Sequence, residues 1–329
     1  TPGTFTKANA STTFPNNPAE TTHTLELIGK NNGSDTDMSN LVTITAATNQ
    51  RHFYVNGEKA KLTLHYVKLV GGDVSSSSGN GGSIFIDDNG GELNLYSSIV
   101  FNNKAVFGGG IYAYGDSNTN KNDRIMNIDN SIIHNNTATY GDGGGIYMRN
   151  AVAIIENTTI DYNQAPGNSG FGGGMSIVSS AVTMKNTNIS NNKAGDLGGG
   201  LYIRGDSTTV TLRQTSFIDN DATYQGDAIR TYLSPTISLI NTYFNNPNDD
   251  NNIVESTSGG TPTWKSCGTN NSPCDDGETC TNKTDGKSVK CLPTPTPVTP
   301  TCEINIEIRD NCTVQQQKQG LIDKYKQIS

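Results

Sequence analysis

Apolar residues in this chain recur in short alternating runs separated by Gly- and Asn-rich turns. Val182 and Met184, then Val210 and Leu212, stand two apart with polar residues between them. Ile154, Thr158 and Ile160 carry the same period. Period two places alternate side chains on one side of a β-strand, and no window of comparable length shows the 3.6-residue spacing of an amphipathic helix. The longest wholly apolar stretch is Ala151 to Ile155. A bilayer-spanning helix needs roughly 20 such residues, so the pattern predicts no transmembrane helix.

Two markers punctuate these strands in strict alternation. The first is a Gly cluster ending in an apolar residue, at Gly81 to Ile84, Gly108 to Ile111, Gly143 to Ile146, Gly172 to Met175, Gly198 to Leu201 and Gly226 to Ile229. The apolar positions are spaced 27, 35, 29, 26 and 28 residues apart. The second is Asn-x-Ala, beginning at Asn103, Asn136, Asn163, Asn192 and Asn220 and ending at Ala105, Ala138, Ala165, Ala194 and Ala222. Ile99, Ile133, Ile160, Ile189 and Phe217 precede it by a few positions.

A period of this length is the signature of a repeat architecture. Two or three short strands per repeat, with turns and no helix, predict an all-β fold closed as a parallel β-helix. Coils then stack at about 4.8 Å, and equivalent residues form ladders along the axis. Ile84, Ile111, Ile146, Met175, Leu201 and Ile229 should form one interior column. The Gly clusters should be corners where positive φ and close coil-to-coil approach exclude a Cβ. The Asn of Asn-x-Ala should bond turn backbone and its neighbours, with left-handed backbone tolerated there.

Alternating GG-x-I and F-x-x-N motifs, as in Phe101-Asn102-Asn103-Lys104-Ala105 followed by Gly108-Gly109-Gly110-Ile111, resemble the repeats of chlamydial polymorphic outer membrane proteins. The resemblance covers roughly residues 60–250. It implies a right-handed, pectin-lyase-like β-helix with an adhesive surface role. The chain departs from that family after residue 255, where a Cys-rich segment stands in place of a C-terminal outer-membrane barrel.

The expected layout is an N-terminal cap over residues 1–23, a β-helix over 24–255, a disulfide module over 256–291, a Pro/Thr linker over 292–301 and a C-terminal arm over 302–329. The linker, LPTPTPVTPT, reads as polyproline II and would span about 30 Å. Beyond it Ile304, Ile306 and Ile308 alternate with polar residues, an expected strand followed by a weakly helical end. That arm could add a strand to a neighbouring molecule and build a filament or coat, or fold back on its own solenoid.

The chain has 329 residues, 33% hydrophobic and 16% charged, with 40 Asn and 36 Gly. That is too little apolar material for helices packed on sheets and suits a thin, turn-rich β structure. The net charge of −8 and the absence of a Lys/Arg cluster argue against nucleic acid or an anionic membrane as partner. All six Cys, at Cys267, Cys274, Cys280, Cys291, Cys302 and Cys312, crowd into the last quarter. An even number in a small polar segment predicts disulfides, hence a secreted, extracellular protein. Zinc is the competing use, but no C-x-x-C pair exists and no His follows His134. Sequons occur at Asn9, Asn32, Asn135, Asn157, Asn188, Asn270, Asn282 and Asn311. With 67 Ser plus Thr, about eight are expected by chance, so they are candidate glycosylation sites without independent support.

Candidate catalytic carboxylates are Asp116, Asp142, Asp196, Asp206 and Asp227. They lie in turns at shifting offsets from the Gly marker and do not converge on one coil, so no catalytic residue and no cofactor is assigned. His23, His52, His65 and His134 form no metal-ligand spacing. More informative are the residues following each marker, Tyr112, Tyr147, Ser176, Tyr202 and Arg230, which point outward if the marker points in. Tyr112, Tyr147 and Tyr202 are candidate contacts to a glycan or partner, against the alternative that they stack on one another. The expected function is non-catalytic and structural or adhesive, with copies of itself, other surface proteins or glycans as partners. A secreted polysaccharide-active enzyme or glycan-binding module on the same fold is the alternative.

Overall fold

The computed structural model describes residues 41–245 apart from 58–59, 78, 88–90 and 116–123, and outside that range 4–6, 12–13, 23–29, 38, 253–254, 263–266, 278–282 and 289–293. The chain winds as a parallel β-solenoid. Each coil lays one strand on each of three nine-stranded parallel sheets, and the central coils add a two-residue strand in a five-stranded sheet. One coil runs through Ile146–Arg149 on face 1, Val152–Glu156 on face 2, Thr159–Asp161 on face 3 and Gln164–Ala165 on short face 4. It returns to face 1 at Met175–Val178. The one described helix is a 3-10 turn at Ser75–Ser77.

The predicted column exists in register. Ile84 pairs with Ile111, Ile111 with Ile146, Ile146 with Met175, Met175 with Leu201 and Leu201 with Ile229. All six side chains are fully buried. Two residues further along the same strands, Ile86, Ala113, Met148, Ile177, Ile203 and Thr231 form a second inward row. Face 2 contributes Leu93, Met126, Ala153, Val182, Val210 and Ile237, and beside them Leu95, Ile128, Ile155, Met184, Leu212 and Leu239. Fully burying an aliphatic side chain stabilises by about 1.5–3 kcal/mol, so continuous columns of them hold a fold this poor in apolar residues.

On face 3 the inward row is Leu69, Val100, Ile133, Ile160, Ile189 and Phe217, so among the apolar residues preceding each Asn-x-Ala it is Val100 and not Ile99 that joins the column. Ile99 pairs with Ile132 on the outer side, where both pack with Met38 and Leu41. Both neighbours in Ile99-Val100 are apolar, so alternation alone could not set the phase. Ile154 likewise faces out, 46% exposed, while Ala153 and Ile155 face the core.

The Asn ladder is as expected in its bonds and different in its backbone. Asn103, Asn136, Asn163, Asn192 and Asn220 are buried. Each of the first four donates Nδ2–H to Oδ1 of the next, at 2.9, 3.0, 3.0 and 3.0 Å. Each also donates its backbone N–H to the same oxygen at 3.0–3.2 Å. The left-handed residue is the one before, Asn102, Asn135, Tyr162, Asn191 or Asp219, which leaves the ladder Asn free to turn inward. At the opposite corner another left-handed residue, such as Asn130, Asn157 or Asn186, precedes a buried Ser or Thr. Those hydroxyls, Ser98, Ser131, Thr158, Thr187 and Thr215, donate to the carbonyl two residues back.

The Gly corner needs glycine twice over. Gly143 has φ of +69°, and a Cβ on Gly144 would stand 2.3 Å from the Gly173 carbonyl oxygen and 2.5 Å from Gln164 backbone. The parallel sheets run past the expected boundaries, since Thr4–Thr6 pairs with Thr43–Thr45 and Thr263–Ser266 pairs with Thr236–Leu239.

Candidate binding face

The strands of face 1 expose two outward rows. The residues after the marker are Tyr54, Phe85, Tyr112, Tyr147, Ser176, Tyr202 and Arg230, in register. Two positions on, Tyr114, Arg149, Val178, Arg204 and Tyr232 form a parallel row, with Asp87 just beyond Ile86 one coil earlier. No Lys or Glu stands in either row, and Arg51 packs over Phe85 at 4.9 Å and Tyr54 at 5.7 Å. Four of the chain's seven Arg therefore lie on one face of a protein with net charge −8.

The rings of the first row stack on each other. Centroid distances are 5.1 Å for Tyr54–Phe85, 4.9 Å for Phe85–Tyr112 and 5.0 Å for Tyr112–Tyr147. Ser176 breaks the row, and Phe171 from the preceding corner supplies a ring instead, stacked at 4.8 Å on Tyr202. Ser176 is fully buried and its Oγ has no hydrogen-bond partner. Tyr112, Tyr147 and Tyr202 retain only 7%, 9% and 4% exposure. Their flat faces are taken up by neighbours, so the expected aromatic platform is not presented to a ligand. Burial pushes the phenols of Tyr147 and Tyr202 up to about 12 and that of Tyr112 up as well.

The second row is more open. Arg149 and Arg204 lie over Tyr114 and Tyr232, each at 5.3 Å, and Arg204 is exposed. Such ring contacts fix the guanidinium without using its N–H fork. Sequence reasoning missed this row, although its position three residues after each marker aliphatic was available.

The candidate carboxylates serve backbone turns. Asp142 Oδ1 accepts the Phe171 N–H at 3.2 Å, Asp206 Oδ1 that of Ser234 at 2.9 Å and Asp227 Oδ1 that of Ala222 at 3.0 Å. Burial raises Asp142 to about 7, against the opposing pull of that hydrogen bond and of Arg204. Burial also raises Asp196, opposed by Arg230. Asp116 lies outside the described residues. Among the described residues no group of three or more His, Cys, Asp or Glu is placed to hold a metal ion. His134, which sequence reading left isolated, bonds Asp161 at 3.0 Å and stacks on Phe101.

Of the sequons, Asn188 is buried with Nδ2 donating to Ser190 Oγ and Oδ1 accepting from Ser216 Oγ, so a folded coil does not offer it for glycosylation. Asn135 and Asn157 sit at left-handed corner positions, where each donates Nδ2–H across coils. Asn9, Asn32, Asn270 and Asn311 lie outside the described residues, as do Cys267, Cys274, Cys302, Cys312 and the arm residues Ile304, Ile306 and Ile308. Asn282 and Cys280 belong to Glu278–Asn282, which pairs antiparallel with Val289–Pro293 and sets Cys280 opposite Cys291.

No family model, curated protein or solved structure matches the chain.

Proposed function

We propose that this chain is an extracellular, non-catalytic adhesive or structural surface protein, a right-handed β-helix of the polymorphic outer membrane protein type that makes contact through face 1. Right-handedness follows from the strong preference of parallel crossovers. The observation that carries the reading is the concentration of Tyr and Arg, without Lys or Glu, on one outward face of an acidic chain. Tyr and Arg are the residues that dominate recognition surfaces, and Lys and Glu are depleted from them. The buried turns support a scaffold role, because three of the candidate carboxylates are engaged as backbone acceptors.

The C-terminal segment belongs to the same reading as a disulfide module. Directly opposed residues of an antiparallel pair have Cα atoms about 4.5–5.5 Å apart, within disulfide range, so the register of Cys280 opposite Cys291 supports a proposed bridge between them. That bridge fits an oxidising, extracellular setting.

Beads coated with the full chain should adhere to cell or matrix surfaces, and the same protein should leave polysaccharides at full length in depolymerisation assays. Non-adherent beads would remove the adhesive reading. Chain cleavage lost in Asp142→Asn would favour the enzymatic one, for which the raised carboxyl of Asp142 near Arg204 is the supporting observation.

A further inference from the structure

We infer that the Tyr–Arg strip on face 1 binds a linear acidic polysaccharide lying along the solenoid axis, an inference that rests on the adhesive reading above. The chemistry of the strip selects the class. Ring faces are consumed by stacking, so the strip offers edges and guanidinium groups rather than a hydrophobic platform for sugar rings. The Arg149 and Arg204 side chains, of which Arg204 is exposed, are hydrogen-bond donors, and the matching ligand is rich in acceptor oxyanions. A neutral glycan, which relies on ring stacking, fits this surface less well.

Spacing selects the shape. Equivalent positions repeat every 4.8 Å or so, and the row from Tyr54 to Arg230 covers seven coils, about 29 Å. A periodic straight row is matched by an extended periodic polymer. Arg149 and Arg204 stand two coils apart, about 10 Å, so the positive charge is sparse. Sparse charge fits a glycan carrying carboxylates or sulfates at intervals. It fits nucleic acid poorly, since a duplex carries one charge per about 1.7 Å and needs a basic surface over many phosphates. Arg149 and Arg204 are already positioned over rings, which lowers the ordering cost of gripping an anion. Two carboxylates near the strip are engaged by the protein, with Asp87 accepting from the Tyr54 hydroxyl and Asp142 from the Phe171 N–H, and a third, Asp196, lies near Arg230 at the end of the row.

The test uses the full chain with polygalacturonate and heparin as probes, and neutral dextran, a DNA duplex and poly-glutamate as comparators. Binding is measured for wild type, for Arg149→Gln/Arg204→Gln, and for Lys185→Gln/Arg213→Gln on face 2, with thermal melts to verify folding. The expected result is binding to at least one acidic polysaccharide that weakens about tenfold in the face 1 variant, less than about twofold in the face 2 variant, and falls with salt. No binding to either polysaccharide, equal loss in both variants, or tighter binding to DNA or poly-glutamate would overturn the inference. Coated beads that still adhere in the presence of both polysaccharides would leave the adhesive reading standing while removing this ligand class.

Discussion

The asparagine corner and the tyrosine–arginine strip are both polar ladders repeated once per coil, yet one is closed and the other open. Asn136, Asn163 and Asn192 direct their side-chain amides to the neighbouring coils, with Nδ2 bonding both the next Oδ1 and a carbonyl from the coil before. They are buried and leave nothing for a partner. On face 1 the rings satisfy one another while the guanidinium groups of Arg149 and Arg204 face outward over them. The same repeat thus makes an internal seal on one corner and an external row of donors on one face. Donors remain available for contact only on the ladder that stacking does not exhaust.

Four substitutions sharpen that contrast, in falling order of effect. Gly144→Ala strikes the Gly corner where it abuts Gln164, next to the ladder Asn163; the new Cβ meets three backbone atoms at 2.5 Å or less, and the change should cost about 3 kcal/mol in urea unfolding. Thr231→Val works in the opposite direction. Thr231 sits in an inward apolar row, is fully buried, and its Oγ1 lacks a hydrogen-bond partner, so the change should raise stability by about 1–2 kcal/mol.

Asp142→Asn gives a pH-dependent gain. Burial holds the folded carboxyl at about 7 against an ordinary value of 3.8, so folding takes up a proton between those values. The resulting stabilisation is complete below pH 4 and lost as pH rises through 7. The Asn variant should therefore melt with wild type at pH 4 and above it at pH 8, keeping the bond to Phe171 N–H. A constant offset at both pH values would show that Asp142 ionises freely. Ser176→Ala removes the unpartnered hydroxyl at the break in the ring row and should stabilise by about 0.5 kcal/mol, with an unchanged stack of Phe171 on Tyr202.

The fold was legible because stacking forces sequence equivalence. The spacing of Gly-x-x-Ile places Ile111, Ile146, Met175 and Leu201 in one column, and the register agrees. The phase of face 3 was not legible, because Ile99-Val100 offers two apolar neighbours and only contact with Met38 and Leu41 explains why Ile99 faces out. The Ser/Thr corner was overlooked although Ser131, Thr158, Thr187 and Thr215 recur with the same period, since common polar residues do not stand out as Gly does. Half of the binding face was visible. The row after the marker follows from alternation, but its burial depends on Phe171, which no local pattern ties to Ser176. The row containing Arg149 and Arg204 required counting one more period along the strand.

The central claim, a closed corner against an open strip, is tested most directly by urea unfolding of Asn163→Ala beside Arg149→Gln/Arg204→Gln. The closed corner predicts a loss of about 3 kcal/mol for the first, because Asn136 and the Ile133 carbonyl lose a buried partner. The open strip predicts a change within about 0.5 kcal/mol for the second. Equal losses, or the greater loss in the arginine variant, would contradict the account.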